Sequence, residues 1–86
     1  MNFNEWKQLA EEGKAEAQYN LGLLYSLGKE IPKNDSEAIK WYLRAAEQGF
    51  AEAQTNLGLM YGKGQGVEQN FNEAVTWYRL AAEQGL

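Results

Sequence analysis

The chain has no cysteine and no histidine among its 86 residues. Their absence removes disulfides, thiol nucleophiles, imidazole bases and the usual zinc and copper ligands together. It selects no redox compartment. Four aliphatic hydroxyl side chains remain (Ser26, Ser36, Thr55 and Thr76), and without histidine they cannot form the usual nucleophile–base pair. Basic residues are few: 8 Lys and Arg stand against 12 Asp and Glu, for a net charge of −4. The cations are dispersed, which disfavours nucleic acid and an anionic membrane surface as partners. No apolar run is long enough to span a bilayer. The N-terminal MNFNEWKQLAEEG has no basic segment followed by an apolar one, so it is not a secretory signal. A cytoplasmic address is expected on that ground, and a secreted chain trimmed of its signal would read the same way. No metal, cofactor or catalytic residue is expected.

What is present is a repeat. AEAQYNLGLLYSLG (15–28) returns as AEAQTNLGLMYGKG (51–64), and between 15–50 and 51–86 the two copies share 20 of 36 positions without a gap. Self-similarity at this period marks a solenoid built from one supersecondary unit. With 44% apolar and 13% aromatic residues the chain has the material for one folded domain. A chain of this length buries only about 60–65% of its unfolded surface.

The spacing predicts five helices, at about 3–12, 15–27, 35–48, 51–62 and 71–84. Ala17, Leu21, Leu24 and Tyr25 form one apolar stripe, repeated as Ala53, Leu57, Met60 and Tyr61. Ala38, Trp41, Tyr42 and Ala45 form another, repeated as Ala74, Trp77, Tyr78 and Ala81. Gly22 and Gly58 lie inside helices, where glycine costs roughly 1 kcal/mol against alanine; a neighbouring helix passing too close for a side chain explains both. Gly28, Gly64, Gly49 and Gly85 terminate helices, with Phe50 and Leu86 placed for the apolar contact of a Schellman cap. Ile31 and Val67 plug the connecting loops. Asn34 with Glu37, and Asn70 with Glu73, resemble capping boxes. Short connections make neighbouring helices antiparallel.

The pattern A-x-A-Q-x-N-L-G-x-x-Y-x-x-G, an apolar loop residue, then E-A-x-x-W-Y-x-x-A-A-E-Q-G resembles the Sel-1-like repeat (SLR), a relative of the tetratricopeptide repeats. The resemblance implies an all-α fold: an α/α solenoid, a right-handed superhelix of about 2.5 repeats with five antiparallel helices in a single domain, 1–86. Residues 1–14 would be an N-terminal half-repeat helix, 15–50 repeat one and 51–86 repeat two. Two positions depart from the family pattern. Glu30 replaces the second glycine of the Gly64-Gln65-Gly66-Val67 loop, which implies a different loop conformation in the first copy. Asp35 stands where Phe71 supplies an aromatic, which implies one lost packing contact.

The implied function is protein–protein interaction, an adaptor role, with the first helices lining a concave face. The residues facing into it would be Glu16, Tyr19, Leu23 and Leu27, continued by Glu52, Thr55, Leu59 and Lys63, with Ser26 and Gly62 between them. Such a groove, apolar and acidic, suits a protein or peptide with apolar anchors and some basic character. Leu23 and Leu59 have a second reading as inter-helix core. Positions that differ between copies, Tyr19 against Thr55 and Leu27 against Lys63, are the better specificity candidates. Asn20 and Asn56 read as structural hydrogen-bonding groups, and Trp41 and Trp77 as core. Glu11 and Glu12 read as solvated charge rather than a glycosidase pair. Leu23 and Leu59 occupy the position where some tetratricopeptide relatives place a carboxylate-clamping asparagine, so no such clamp is expected. The alternative function is a structural or self-associating segment of a longer repeat protein. The last helix would leave apolar area near Trp77 and Tyr78 uncovered, which allows a homo-oligomer through uncapped repeat ends.

Overall fold

The computed structural model describes residues 1–85. Its helices are α1 (Phe3–Glu11), α2 (Ala15–Leu27), α3 (Asp35–Glu47), α4 (Ala51–Lys63) and α5 (Phe71–Glu83), with no strand among the described residues. Each helix packs on the next in sequence. The expected ends at 12, 48 and 84 fall on cap residues, and α4 runs one residue further than expected. The expected contact of Leu86 lies outside the described residues.

Two buried clusters hold the stack. Ala10, Ala17, Leu21 and Trp41 join α1, α2 and α3. Ala38, Tyr42, Ala45, Ala46, Ala53, Leu57 and Met60 join α3 to α4. The core is thus made largely of alanine with a few large side chains, so helices approach closely. Gly22 is the extreme case: a Cβ built there would lie 2.6 Å from a ring carbon of Tyr42, and at Gly58 the corresponding distance to Tyr78 is 2.8 Å. Trp41 is buried and carries the Arg44 guanidinium 4.6 Å above its ring, a cation–π contact. Trp77 is half-buried, with its Nε1 enclosed and without a hydrogen-bond partner among the described residues.

The helix ends follow the expected chemistry with two differences. After α3, Phe50 N donates to Ala45 O at 3.1 Å and Gly49 N to Ala46 O at 2.9 Å, the paired bonds of a Schellman motif. Asn34 and Asn70 accept from the backbone N–H of Glu37 and Glu73, but the reciprocal half of the capping box forms at neither. It forms instead at the N-terminus, where Asn2 Oδ1 accepts from Glu5 N and Glu5 Oε1 accepts from Asn2 N, both at 2.9 Å. The Asn-x-x-Glu spacing there was equally legible.

Two expectations for the first copy are corrected. Glu30 adopts φ 71°, matching Gly66 at φ 74°; the loop keeps its conformation, and the glutamate absorbs the strain. Asp35 also forfeits no aromatic contact, because Phe71 is 66% exposed. Asp35 instead receives the following repeat, since a Cβ on Gly66 would lie 2.6–2.7 Å from its Cβ and backbone. Two different side chains close the same loop. Lys33 Nζ donates to Ser26 O at 2.7 Å and to Asp35 Oδ1 at 3.0 Å; Gln69 Nε2 donates to Gly62 O at 2.9 Å.

Burial pushes the Tyr42 phenol above its ordinary pKa, opposed in part by hydrogen bonding to Ser26 and Asn56. Tyr61 moves the same way, again through burial. The unfolded phenol ionises near pH 10, and the folded one holds its proton to higher pH. Stability is therefore unaffected by these groups below about pH 10 and falls as pH rises through the folded pKa values. Urea titrations between pH 8 and 11 should show that decline, made shallower in Tyr42→Phe; an unchanged slope in the variant would remove Tyr42 as its source.

Candidate functional site

The candidate face lies on α2 and α4. Glu16, Tyr19, Leu23 and Leu27 recur at steps of three and four along α2, and Glu52, Thr55, Leu59 and Lys63 do so along α4, so each set follows one helix face. The structure places these eight residues differently in the two copies. Glu16 and Leu27 are exposed, Leu27 at 64%. Tyr19 and Leu23 are half-buried and pack against the α3–α4 cluster. The Tyr19 ring lies 5.9 Å from that of Tyr42 and 5.2 Å from that of Phe50, centroid to centroid. Glu52, Thr55, Leu59 and Lys63 are all exposed, Leu59 at 43%. The difference has a simple cause: Tyr19 and Leu23 meet the repeat that follows them, and Thr55 and Leu59 have no repeat against them among the described residues.

Leu27 and Leu59 are thus large apolar side chains in solvent, on helix faces that also carry Glu16, Glu52 and Lys63. Asn20 Nδ2 donates to Glu16 O within its own helix at 2.9 Å, and Asn56 faces the Tyr42 hydroxyl, which lies 3.3 Å from Ser26 Oγ. Both asparagines therefore serve the scaffold. No group of three or more acidic side chains is arranged to hold a metal ion among the described residues. An open concavity lies on α1 among Met1, Glu5, Gln8 and Leu9.

A second arrangement was not anticipated from the sequence. Gln18 and Gln54 are buried. Gln18 Nε2 donates to Ala10 O and Gln54 Nε2 to Ala46 O, both at 3.1 Å. Their Oε1 atoms accept from Gln48 Nε2 at 2.9 Å and Gln84 Nε2 at 2.8 Å. Each glutamine on a first helix thus ties the end of the preceding helix to the end of the following one. Identity of both glutamine positions in the two copies was the available signal. A glutamine reads as surface by default, which is why burial was not inferred.

Comparison with known proteins gives consistent relatives. The family model described as Sel1 repeat matches residues 15–50 and 51–86. The secretory immunoglobulin A-binding protein EsiB of Escherichia coli O6:H1 is 46% identical over 45 residues, 52% of this chain and 9% of EsiB. A crystal structure of a protective antigen present in uropathogenic Escherichia coli strains, displaying an SLR fold, superposes with a TM-score of 0.95 at 46% identity, over 100% of this chain and 18% of that one. A Sel1 repeat protein from Oxalobacter formigenes gives 0.85 at 53% identity over 87% of this chain and 31% of its own. Helicobacter pylori cysteine rich protein B gives 0.93 at 25% identity, over 98% of this chain and 63% of that protein. The chain therefore spans less than two thirds of each relative.

Proposed function

This chain belongs to the Sel1 repeat family, whose members are generally non-enzymatic protein–protein interaction modules, and we propose that it binds a protein or peptide partner on the concave face lined by α2 and α4. The observation that supports this reading is the solvent exposure of Leu27 and Leu59 on the helix faces that also carry Glu16 and Glu52. Neither leucine is needed to close a buried cluster, and each lies on a first helix. A partner segment with an apolar anchor for each leucine and a cation for the glutamates fits this surface. Thr55 and Lys63, unlike Tyr19 and Leu27 at the matching positions, give the two halves of the face different preferences.

The compartment follows the partner. The Escherichia coli relatives, an immunoglobulin-binding protein and a protective antigen, favour one outside the cell. Among the described residues no helix is long and apolar enough to cross a membrane.

Because Leu23 carries packing, the test uses the exposed pair, Leu27→Glu with Leu59→Glu. Secretory immunoglobulin A, named in the relative, is the first defined probe, followed by partners captured by photo-crosslinkers on α2. Binding should fall more than ten-fold in the double variant with an unchanged melting curve. Retention of the same partners at full strength overturns the assignment of the face.

A further inference from the structure

The charges on the face of α2 and α4 have a direction, and we propose that its occupant is an amphipathic helix of a protein partner lying along the two helix axes. Its cations sit at the end over Glu16 and Glu52, and a carboxylate sits at the end over Lys63. The inference rests on the reading of that face as a binding surface and adds the chemistry and orientation of what binds.

The direction follows from which helix ends share an edge. Gln18, near the start of α2, bonds to Ala10 O near the end of α1 and to Gln48 after α3. Gln54, near the start of α4, bonds likewise to Ala46 O and to Gln84. The starts of α2 and α4 therefore lie on one edge, and the two helices run the same way. Half of the chain's 12 carboxyl side chains stand at the helix ends on this edge: Glu11, Glu12, Glu16, Glu47, Glu52 and Glu83, all exposed. The cations there are already engaged. Lys14 pairs with Glu12 at 3.6 Å, and Arg44 lies over the Trp41 ring. Helix dipoles do not explain the single sign. Glu16 and Glu52 suit the positive starts of α2 and α4, but Glu11, Glu47 and Glu83 close α1, α3 and α5, where the dipole end is already negative.

The far ends of α2 and α4 differ. Leu27 and Lys63 are the last residues of these helices, both exposed, Leu27 at 64%. Lys63, and Lys29 two residues beyond Leu27, form no ion pair among the described residues. Glu30 and Glu68 in the loops hold this edge close to balance. The face thus runs from strongly acidic to near-neutral, with an apolar side chain and a cation at its far end. Eleven residues separate Glu16 from Leu27 and Glu52 from Lys63, about 16 Å at 1.5 Å per residue. Three turns of a partner helix span the same length. A segment crossing from α2 to α4 at the acidic edge meets the same residue twice; one lying along the axes meets the whole gradient. Complementary potential of this kind sets orientation and register more than affinity.

The probe is a synthetic helix of about 15 residues, stapled so that it is helical before binding. It carries a leucine stripe, an arginine pair in its first turn, a glutamate pair in its last, and a nitroxide beside the arginines. It is titrated into the ¹⁵N-labelled full chain. Paramagnetic broadening should concentrate on the amides at the starts of α2 and α4 and spare those around Leu27 and Lys63. Moving the nitroxide beside the glutamates should exchange the two patterns. In Glu16→Lys with Glu52→Lys and Lys63→Glu, all at exposed positions, broadening from the arginine end should shift towards the far end. A peptide with glutamine in place of every charge should bind about five-fold more weakly at low salt, a difference that about 1 M salt removes. Leu27→Glu with Leu59→Glu should abolish binding. Equal broadening at both ends, or a pattern unchanged by charge reversal, overturns the proposal; if binding still needs the two leucines, the face itself stands. Binding indifferent to the leucines overturns both readings. No saturable binding overturns the helix as occupant and leaves the face to the test with its own partners.

Discussion

Gly22→Ala is expected to destabilise the protein by about 3 kcal/mol, and Gly58→Ala by about 1 kcal/mol or less. Helix propensity alone gives the opposite sign, since alanine in a helix interior is favoured over glycine by about 1 kcal/mol. The new methyl group at position 22 would lie 2.6 Å from the Tyr42 ring. That ring is 1% exposed, packed at a tilt beside Tyr19, and its hydroxyl is 3.3 Å from Ser26 Oγ. It cannot retreat without opening the α3–α4 cluster. At position 58 the contact is almost as tight, 2.8 Å, but Tyr78 is 41% exposed and can swing into solvent. The two substitutions are chemically identical and differ only in what lies behind the ring. Urea unfolding of both variants reads the difference directly. Equal losses would show that the end face is as constrained as the interior, and a gain at position 22 would show that the ring yields.

Much of this architecture was legible because repetition doubles every signal. A glycine inside a helix says little once; Gly22 and Gly58, each opposite a tyrosine in the next helix, say that helices touch. The alanine stripes, the capping asparagines and the terminal glycines were readable for the same reason. What the sequence hid falls into two kinds. Lys33 and Gln69 close equivalent loops through the same carbonyl position, yet they share no side-chain identity, so comparing the copies conceals the common role. Gln18 and Gln54 are identical in both copies, yet their burial depends on carbonyls of the preceding helix, which no local pattern displays. The candidate face was legible only as a stripe. Which members would be covered depended on the neighbouring repeat: Tyr19 and Leu23 acquire one in α4, while Thr55 and Leu59 have none among the described residues. The same sequence position thus has two environments within one chain, and periodicity cannot distinguish them.

The reciprocal loop substitutions make the largest remaining contrast. Gly66→Glu should cost about 3 kcal/mol, and Glu30→Gly should stabilise by about 1 kcal/mol. Both positions hold the left-handed conformation, at φ 74° and φ 71°, which penalises any side chain other than glycine and, less strongly, asparagine. Glu30 bears that penalty in solvent, where removing its side chain loses no packing. Gly66 bears a second constraint, because its backbone rests against Asp35 of the preceding repeat with room for no Cβ. Asparagine separates the two terms. Glu30→Asn should recover part of the strain, since only φ is at issue. Gly66→Asn should still lose about 2 kcal/mol, since the clash with the Asp35 backbone is indifferent to φ preference. Chemical denaturation of the four variants closes the comparison. If Gly66→Asn is neutral while Gly66→Glu is not, the cost lies in backbone conformation alone, and the loop does not fix the register of one repeat on the next.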